Sequence, residues 1–183
     1  WGIHEGYSWV RSPDFGGVFH SKKHMYYQSE TGKGRPSAMW GGLSTQNYRI
    51  YRLGHIYLWK AEIETRKGNF DDARFYVNEL RRRADNNVVM GKCNTYQFTG
   101  GEPDVNWEEP AANYQISTYD PEDFDSKEEA WRAIRTETLL ETAGFGYRFF
   151  DLRRWEKAGV LDMSKVLNDY IENDSKYRPL LKN

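Results

Sequence analysis

Two consecutive amphipathic stretches, joined by a turn of only about four residues, constrain this chain more than any other feature in it. The second stretch is the cleaner. Ala73, Tyr76, Val77, Leu80 and Ala84 fall at i, i+3, i+4, i+7 and i+11, which is one stripe of a helix running over about 71–85. Asp71 and Asp72 stand at its start, where negative charge favours the positive end of the helix dipole. Residues 48–66 read as the first helix. Ile50, Leu53, Tyr57 and Ala61 mark one face, Ile56 and Ile63 lie beside it, and Gly68-Asn69 stops it. A connection this short makes the pair antiparallel. The expectation is a mainly α-helical fold.

The totals narrow the function. The chain has 183 residues, enough for one domain with a sizeable core. Its formal net charge is −1, with acids and bases interspersed, which argues against nucleic acid as a partner. Seven Trp, thirteen Tyr and nine Phe exceed what a core of this size absorbs, and exposed rings stack on sugar faces or anchor protein partners. Cys93 is the only cysteine, so no internal disulfide forms, and an oxidising compartment is neither required nor excluded. No apolar run approaches the ~20 residues that span a bilayer. The chain opens without Met or signal peptide, in loop-like sequence, and is expected to be part of a longer protein.

Glu137 to Trp155 is dense in charge and in aromatics at once. On a helix, Ile134, Glu137, Glu141 and Phe145 lie close to one stripe. Carboxylates beside a buried stripe need partners, and Arg148, Arg153 and Arg154 follow closely. Ser126-Lys127-Glu128-Glu129 forms a capping box that opens this helix. Ala130, Trp131, Ile134 and Leu139 are its apolar positions, and Gly144 and Gly146 end or bend it. A short helix from Phe149 to Ala158, stopped by Gly159, and a last amphipathic turn or two through Met163, Val166, Leu167, Tyr170 and Ile171 complete the reading.

Catalysis is not expected. Glu137 and Glu141 lie on one side of any substrate, whereas glycosidases flank the scissile bond with two carboxyls about 5–9.5 Å apart. Neighbouring arginines would also hold both acids ionised, which is wrong for a general acid. His4, His20 and His24 lack a third close ligand or a helical frame for zinc. Cys93 with His55 has no local signature of a nucleophilic pair, and no phosphate-cradling loop appears.

The Glu137–Trp155 stretch resembles the C-terminal signature of the SusD/RagB family, with Glu137, Glu141, Gly146, Arg148, Asp151, Leu152, Arg154 and Trp155 in register. Thr138, Thr142 and Phe145 stand where the family usually has Arg, Leu and Glu, so the ion pairing must differ in detail. Arg52, Leu53, Tyr57, Leu58, Ala61 and Glu62 match a second family helix, and Asn78 to Ala84 its Asn-x-x-Arg-x-Arg-Ala ending. The resemblance covers about residues 48–85 and 133–155, in the family's order. The spacing of Ala61, Gly68 and Ala73 is also similar to a tetratricopeptide unit, and one such unit cannot bury its own faces.

Four segments follow: a loop-rich stretch over 1–47, the tetratricopeptide-like helix pair over 48–85, an irregular aromatic insert over 86–125, and the motif helix with its tail over 126–183. Gly100-Gly101, Pro103, Pro110 and Pro121 punctuate the insert, while its rings argue against disorder. Trp40, Tyr96, Trp107 and Asp104 are the candidate ligand contacts, rings to stack on and a carboxylate to accept sugar hydroxyls, with Glu108 and Glu109 beside Trp107. The bland alternative is that these rings pin long loops to the helices. No cofactor is expected. The acidic cluster could also hold calcium, which takes six to eight oxygens, but no EF-hand spacing is present.

The resemblance implies a substrate-capture subunit on the outer face of the outer membrane, tethered by an upstream lipid anchor. Its partner would be a SusC-like, TonB-dependent transporter barrel and its ligand an oligosaccharide. Glu137, Glu141, Arg148, Asp151 and Arg154 would then be structural, fixing the motif helix by ion pairs. Two alternatives stay open: a peptide-capturing member of the same family, and a tetratricopeptide-type scaffold that binds a protein helix.

Overall fold

The computed structural model describes residues 50–95 and 104–173. These fall into two compact units, one of residues 50–53, 78–95 and 104–118, the other of residues 54–77 and 119–173. Helix α1 spans Leu53–Lys67 and α2 Phe70–Asp85. A hairpin of β1 (Met90–Thr95) and β2 (Asp104–Pro110) follows, then a 3₁₀ turn at Pro121–Phe124. Helices α3 (Lys127–Thr142), α4 (Arg148–Lys157) and α5 (Met163–Asn173) complete the order. The chain is mainly helical.

The α1–α2 hairpin forms as the short connection requires. Gly68 takes φ +88, a left-handed conformation that glycine adopts at no steric cost, and Asn69 N–H closes the turn on the Glu64 carbonyl at 2.9 Å. In the second unit Ala61, Ala73 and Val77 form one core with Phe124, Ala130, Ala133 and Ile134. Alanines at 61, 73, 130 and 133 bring the helix backbones close, and the larger Phe70, Tyr76 and Tyr119 seal the rim. A smaller cluster of Trp131, Leu152 and Trp155 joins α3 to α4, and Val160, Leu161, Met163 and Val166 pack on it.

The stripe read for α2 is the one the structure buries, with Ala73, Val77 and Leu80 at 0–2 % exposure. The face read for α1 needs correction. Residues 50–52 are not helical, and Ile50, Leu53, Ile56 and Ile63 are exposed. The buried positions are Gly54, His55, Leu58, Ala61, Glu62, Glu64 and Thr65. Apolar residues lie all round α1, so periodicity selects no single side. The side chosen carries Glu62, the carboxylate that α4 needs. Gly54 matters here, because a Cβ at that position would come within 2.5 Å of Glu141 Oε1 on α3.

The α3 N-terminus follows its cap. Ser126 Oγ accepts from Glu129 N–H at 3.2 Å, while the Glu129 carboxylate turns to Arg132 Nε at 2.7 Å. Half of the expected capping box is therefore made. Leu139, expected apolar and inward, is exposed. Gly144 and Gly146 both take positive φ after the helix ends, and so does Gly159 after α4.

The insert is not irregular throughout. Met90 pairs with Pro110, Lys92 with Asn106, Cys93 with Val105 and Thr95 with Asp104, antiparallel, with the register shifting twice. Such shifts interrupt the regular ladder.

Candidate functional site

Two constellations hold part of the residues singled out by the sequence. The first is on the hairpin. Trp107 lies on β2 and is 72 % exposed. Gly91 on β1 makes room for it, since a Cβ there would stand 2.7 Å from Trp107 Cζ3 and 2.8 Å from Cε3. Gly91 also takes φ +109, a region closed to side-chain-bearing residues without strain. The indole thus rests on bare backbone and offers the rest of its surface to solvent. An apolar ring presented this way can stack on the C–H face of a pyranose.

Polar side chains on the same hairpin bond to one another. Glu109 accepts from Lys92 Nζ at 2.6 Å across the strands and from Asn106 Nδ2 at 2.9 Å. The Lys92 hydrogen bond first, then the Lys92 charge, hold the Glu109 carboxyl below the usual carboxylate range, against a small opposing effect of burial. Asn106 Oδ1 in turn accepts from Glu108 N–H at 3.0 Å. Glu109 is therefore engaged within the hairpin, whereas the side chains of Asp104 and Glu108 are exposed. Trp40 and Tyr96 lie outside the described residues, as do His4, His20 and His24. No cluster of three or more His, Cys, Asp or Glu that could hold a metal occurs among the described residues.

The second constellation ties α1 to α4. Arg154 donates from Nη1 and Nη2 to the two oxygens of Glu62, at 2.5 and 2.6 Å, a bidentate pair. Its Nε donates to Asp151 Oδ1 at 2.8 Å. Trp155, fully buried, donates its indole N–H to Glu62 Oε1 at 3.1 Å, and the Arg154 guanidinium lies 4.9 Å from its ring centre. Burial alone would lower the Arg154 pKa, but the hydrogen bonds and charges of Glu62, then Asp151, outweigh it and raise it.

Of the five residues expected to form ion pairs, Asp151 and Arg154 meet directly. Arg148 lies with its guanidinium over the Trp155 ring at 5.8 Å. Burial lowers the Arg148 pKa, the Asp151 charge opposes this and Arg135 adds to it. Its Nη1 is buried without a hydrogen-bond partner among the described residues. Glu137 is buried on α3 at 6 % exposure, and Glu141 is half-buried where α3 approaches Gly54. Glu62 is the member that the sequence reading did not single out as an ion-pair partner. Its signal was the Ala61-Glu62 pair, already part of the matched helix.

The model of the SusD family matches residues 12–179. The chain belongs to the SusD family. No curated protein and no solved structure matches it. The SusD family consists of nutrient-binding accessory proteins of the outer membrane and cell surface, which bind their ligands and are not enzymes. In this SusD-family chain the Arg154–Glu62–Trp155 constellation sits at the matched motif and holds helices together, while the exposed ring lies on the hairpin. Among the described residues no helix is long and apolar enough to cross a membrane.

Proposed function

We propose that this chain captures oligosaccharides at the cell surface and passes them to a SusC-like, TonB-dependent transporter barrel, held at the outer membrane by a lipid anchor. No bond is made or broken and no cofactor takes part. The single observation that supports glycan capture is Trp107, 72 % exposed and seated on Gly91. A ring exposed to this degree is a poor use of apolar surface in a resting protein and a good platform for a sugar face. Asp104 and Glu108, exposed on the same strand, are further acceptors for sugar hydroxyl groups.

The test is calorimetry against a panel of neutral oligosaccharides and short peptides, with the native protein and Trp107→Ala. The reading expects binding to at least one glycan and a loss of about tenfold or more in Trp107→Ala, as for a central aromatic anchor. Unchanged glycan affinity in the variant refutes the platform, and binding of peptides alone replaces it with peptide capture.

The helices carry exposed rings as well. Phe75, Phe149 and Phe150 are each more than half exposed. These favour, as a second reading, a tetratricopeptide-type scaffold with a protein partner and no small ligand. That reading expects no glycan or short peptide in the panel to bind.

A further inference from the structure

The second unit contains a cleft of about 700 Å³ between the end of α1, the first half of α3, the α4–α5 connection and α5. Four of its lining side chains are cations: Arg66, Lys127, Arg135 and Lys165. Among the described residues Arg66, Lys127 and Lys165 enter no ion pair. The Arg66 guanidinium lies 5.6 Å from the centre of the Trp131 ring. Arg135 donates Nε to the Trp131 carbonyl at 3.3 Å, which leaves the rest of its fork for another acceptor.

Two of these cations stand where helix electrostatics disfavours them. Lys127 is the first residue of α3, and Lys165 is in the first turn of α5, which has no acidic residue in that turn. The N-terminus of a helix carries positive partial charge, so both lysines add like charge to like. Both line the same cleft, although Glu128 and Glu129 in the first turn of α3 offset part of the charge at that end. Glu128, Asp162 and Asp169 line it too. Asp162 is already spent, since its Oδ1 accepts from Lys165 N–H at 3.2 Å and caps α5. Three carboxylates then stand against four cations, and one of the three is held at the α5 N-terminus.

The floor is apolar. Trp131, 5 % exposed, lies there with Val160, Leu161 and Val166. No described residue accepts from its indole N–H.

We infer that this cleft binds the charged group of an acidic oligosaccharide, a sugar carboxylate or sulfate, with the pyranose C–H face on the apolar floor. The inference rests on the glycan reading of the hairpin and adds a second subsite with a charge preference. The cations provide the preference, and the floor separates a sugar acid from a small inorganic anion.

The test compares a galacturonic acid trimer with its methyl ester, in which a methyl group caps each charge, by calorimetry on the native protein at two salt concentrations. The expected result is binding of the acid at least about tenfold tighter than the ester, weakening as salt screens the charges. Arg66→Ala with Lys165→Ala should remove that preference. Lys127→Ala with Lys165→Ala leaves the Arg66–Trp131 contact intact and should also reduce it, which keeps the test decisive if the first variant misfolds. Equal affinity for acid and ester, or a preference untouched in both variants, overturns the inference. Inorganic sulfate that displaces the trimer at equal concentration overturns the assignment to a glycan. Neutral oligosaccharides with Trp107→Ala report on the hairpin separately. Their binding, lost in that variant, together with acid–ester indifference defeats the cleft alone.

Discussion

Removing either partner of the Arg154–Glu62 pair should not cost the same, and the difference follows from exposure. The Glu62 side chain is 7 % exposed and the Arg154 side chain 36 %. In Arg154→Met the Glu62 carboxylate remains buried with only the Trp155 indole N–H. Stranding a buried charge costs about 3–5 kcal/mol, and the surviving hydrogen bond places this variant near the low end, about 3 kcal/mol. In Glu62→Gln the guanidinium keeps Asp151 at 2.8 Å and one-third of its surface in water, and the Gln carbonyl can still accept from Trp155. The loss there is about 1–2 kcal/mol. The double variant removes the stranded charge, so it should be less harmful than the sum of the singles, by about 1 kcal/mol or more. Urea denaturation followed by tryptophan fluorescence measures all four proteins, each free energy taken from its midpoint and slope. If Arg154→Met is no worse than Glu62→Gln, or if the two losses simply add, burial of the carboxylate is not what makes this pair matter.

Three further outcomes are expected. Gly91→Ala forces a side chain into φ +109 and against the Trp107 ring. It should destabilise the hairpin by about 1–3 kcal/mol and displace the indole, seen as a shifted emission maximum and weaker glycan binding. The Lys67 hydrogen bond first, then that of Asn69, lower the Glu64 pKa from 4.5. The stability this contributes is therefore present above pH 4.5 and lost as pH falls through the lowered value. Glu64→Gln should flatten that acid limb in melts across pH 3 to about 6, and an unchanged limb refutes the assignment. Ser126→Ala removes the acceptor for Glu129 N–H and should cost about 1 kcal/mol, read from the urea midpoint.

How far the sequence could be read depended on whether a residue's surroundings lay nearby in the chain. In α2 the stripe through Ala73, Val77 and Leu80 was legible because the apolar positions other than Phe75 repeat at helical spacing. In α1 it was not. Ile56 and Ile63 look like core yet are exposed, while Glu62 is buried because Arg154 lies 92 residues on. No periodicity records a partner that distant. The family motif held both residues, so their importance was visible and their pairing was not. The hairpin was missed because Met90–Thr95 lacks the β-branched and aromatic run that marks a strand. Its ladder is also interrupted twice. Trp107 was legible as a candidate from composition, but its seat on Gly91 depends on a pairing that only the folded hairpin creates.

The core shared by Ala61, Ala73 and Val77 with Phe124, Ala130, Ala133 and Ile134 joins segments on either side of the hairpin. Chain connectivity there is cheap to alter, because doubling a loop adds only about 0.6 kcal/mol of closure entropy. The stretch after α2 can therefore be lengthened, trimmed or grafted from a relative while that core and the Glu62–Arg154 pair stay as they are. Selection acting on new ligands would find its raw material in that stretch, and a protein engineer seeking a different ligand preference would begin by transplanting it.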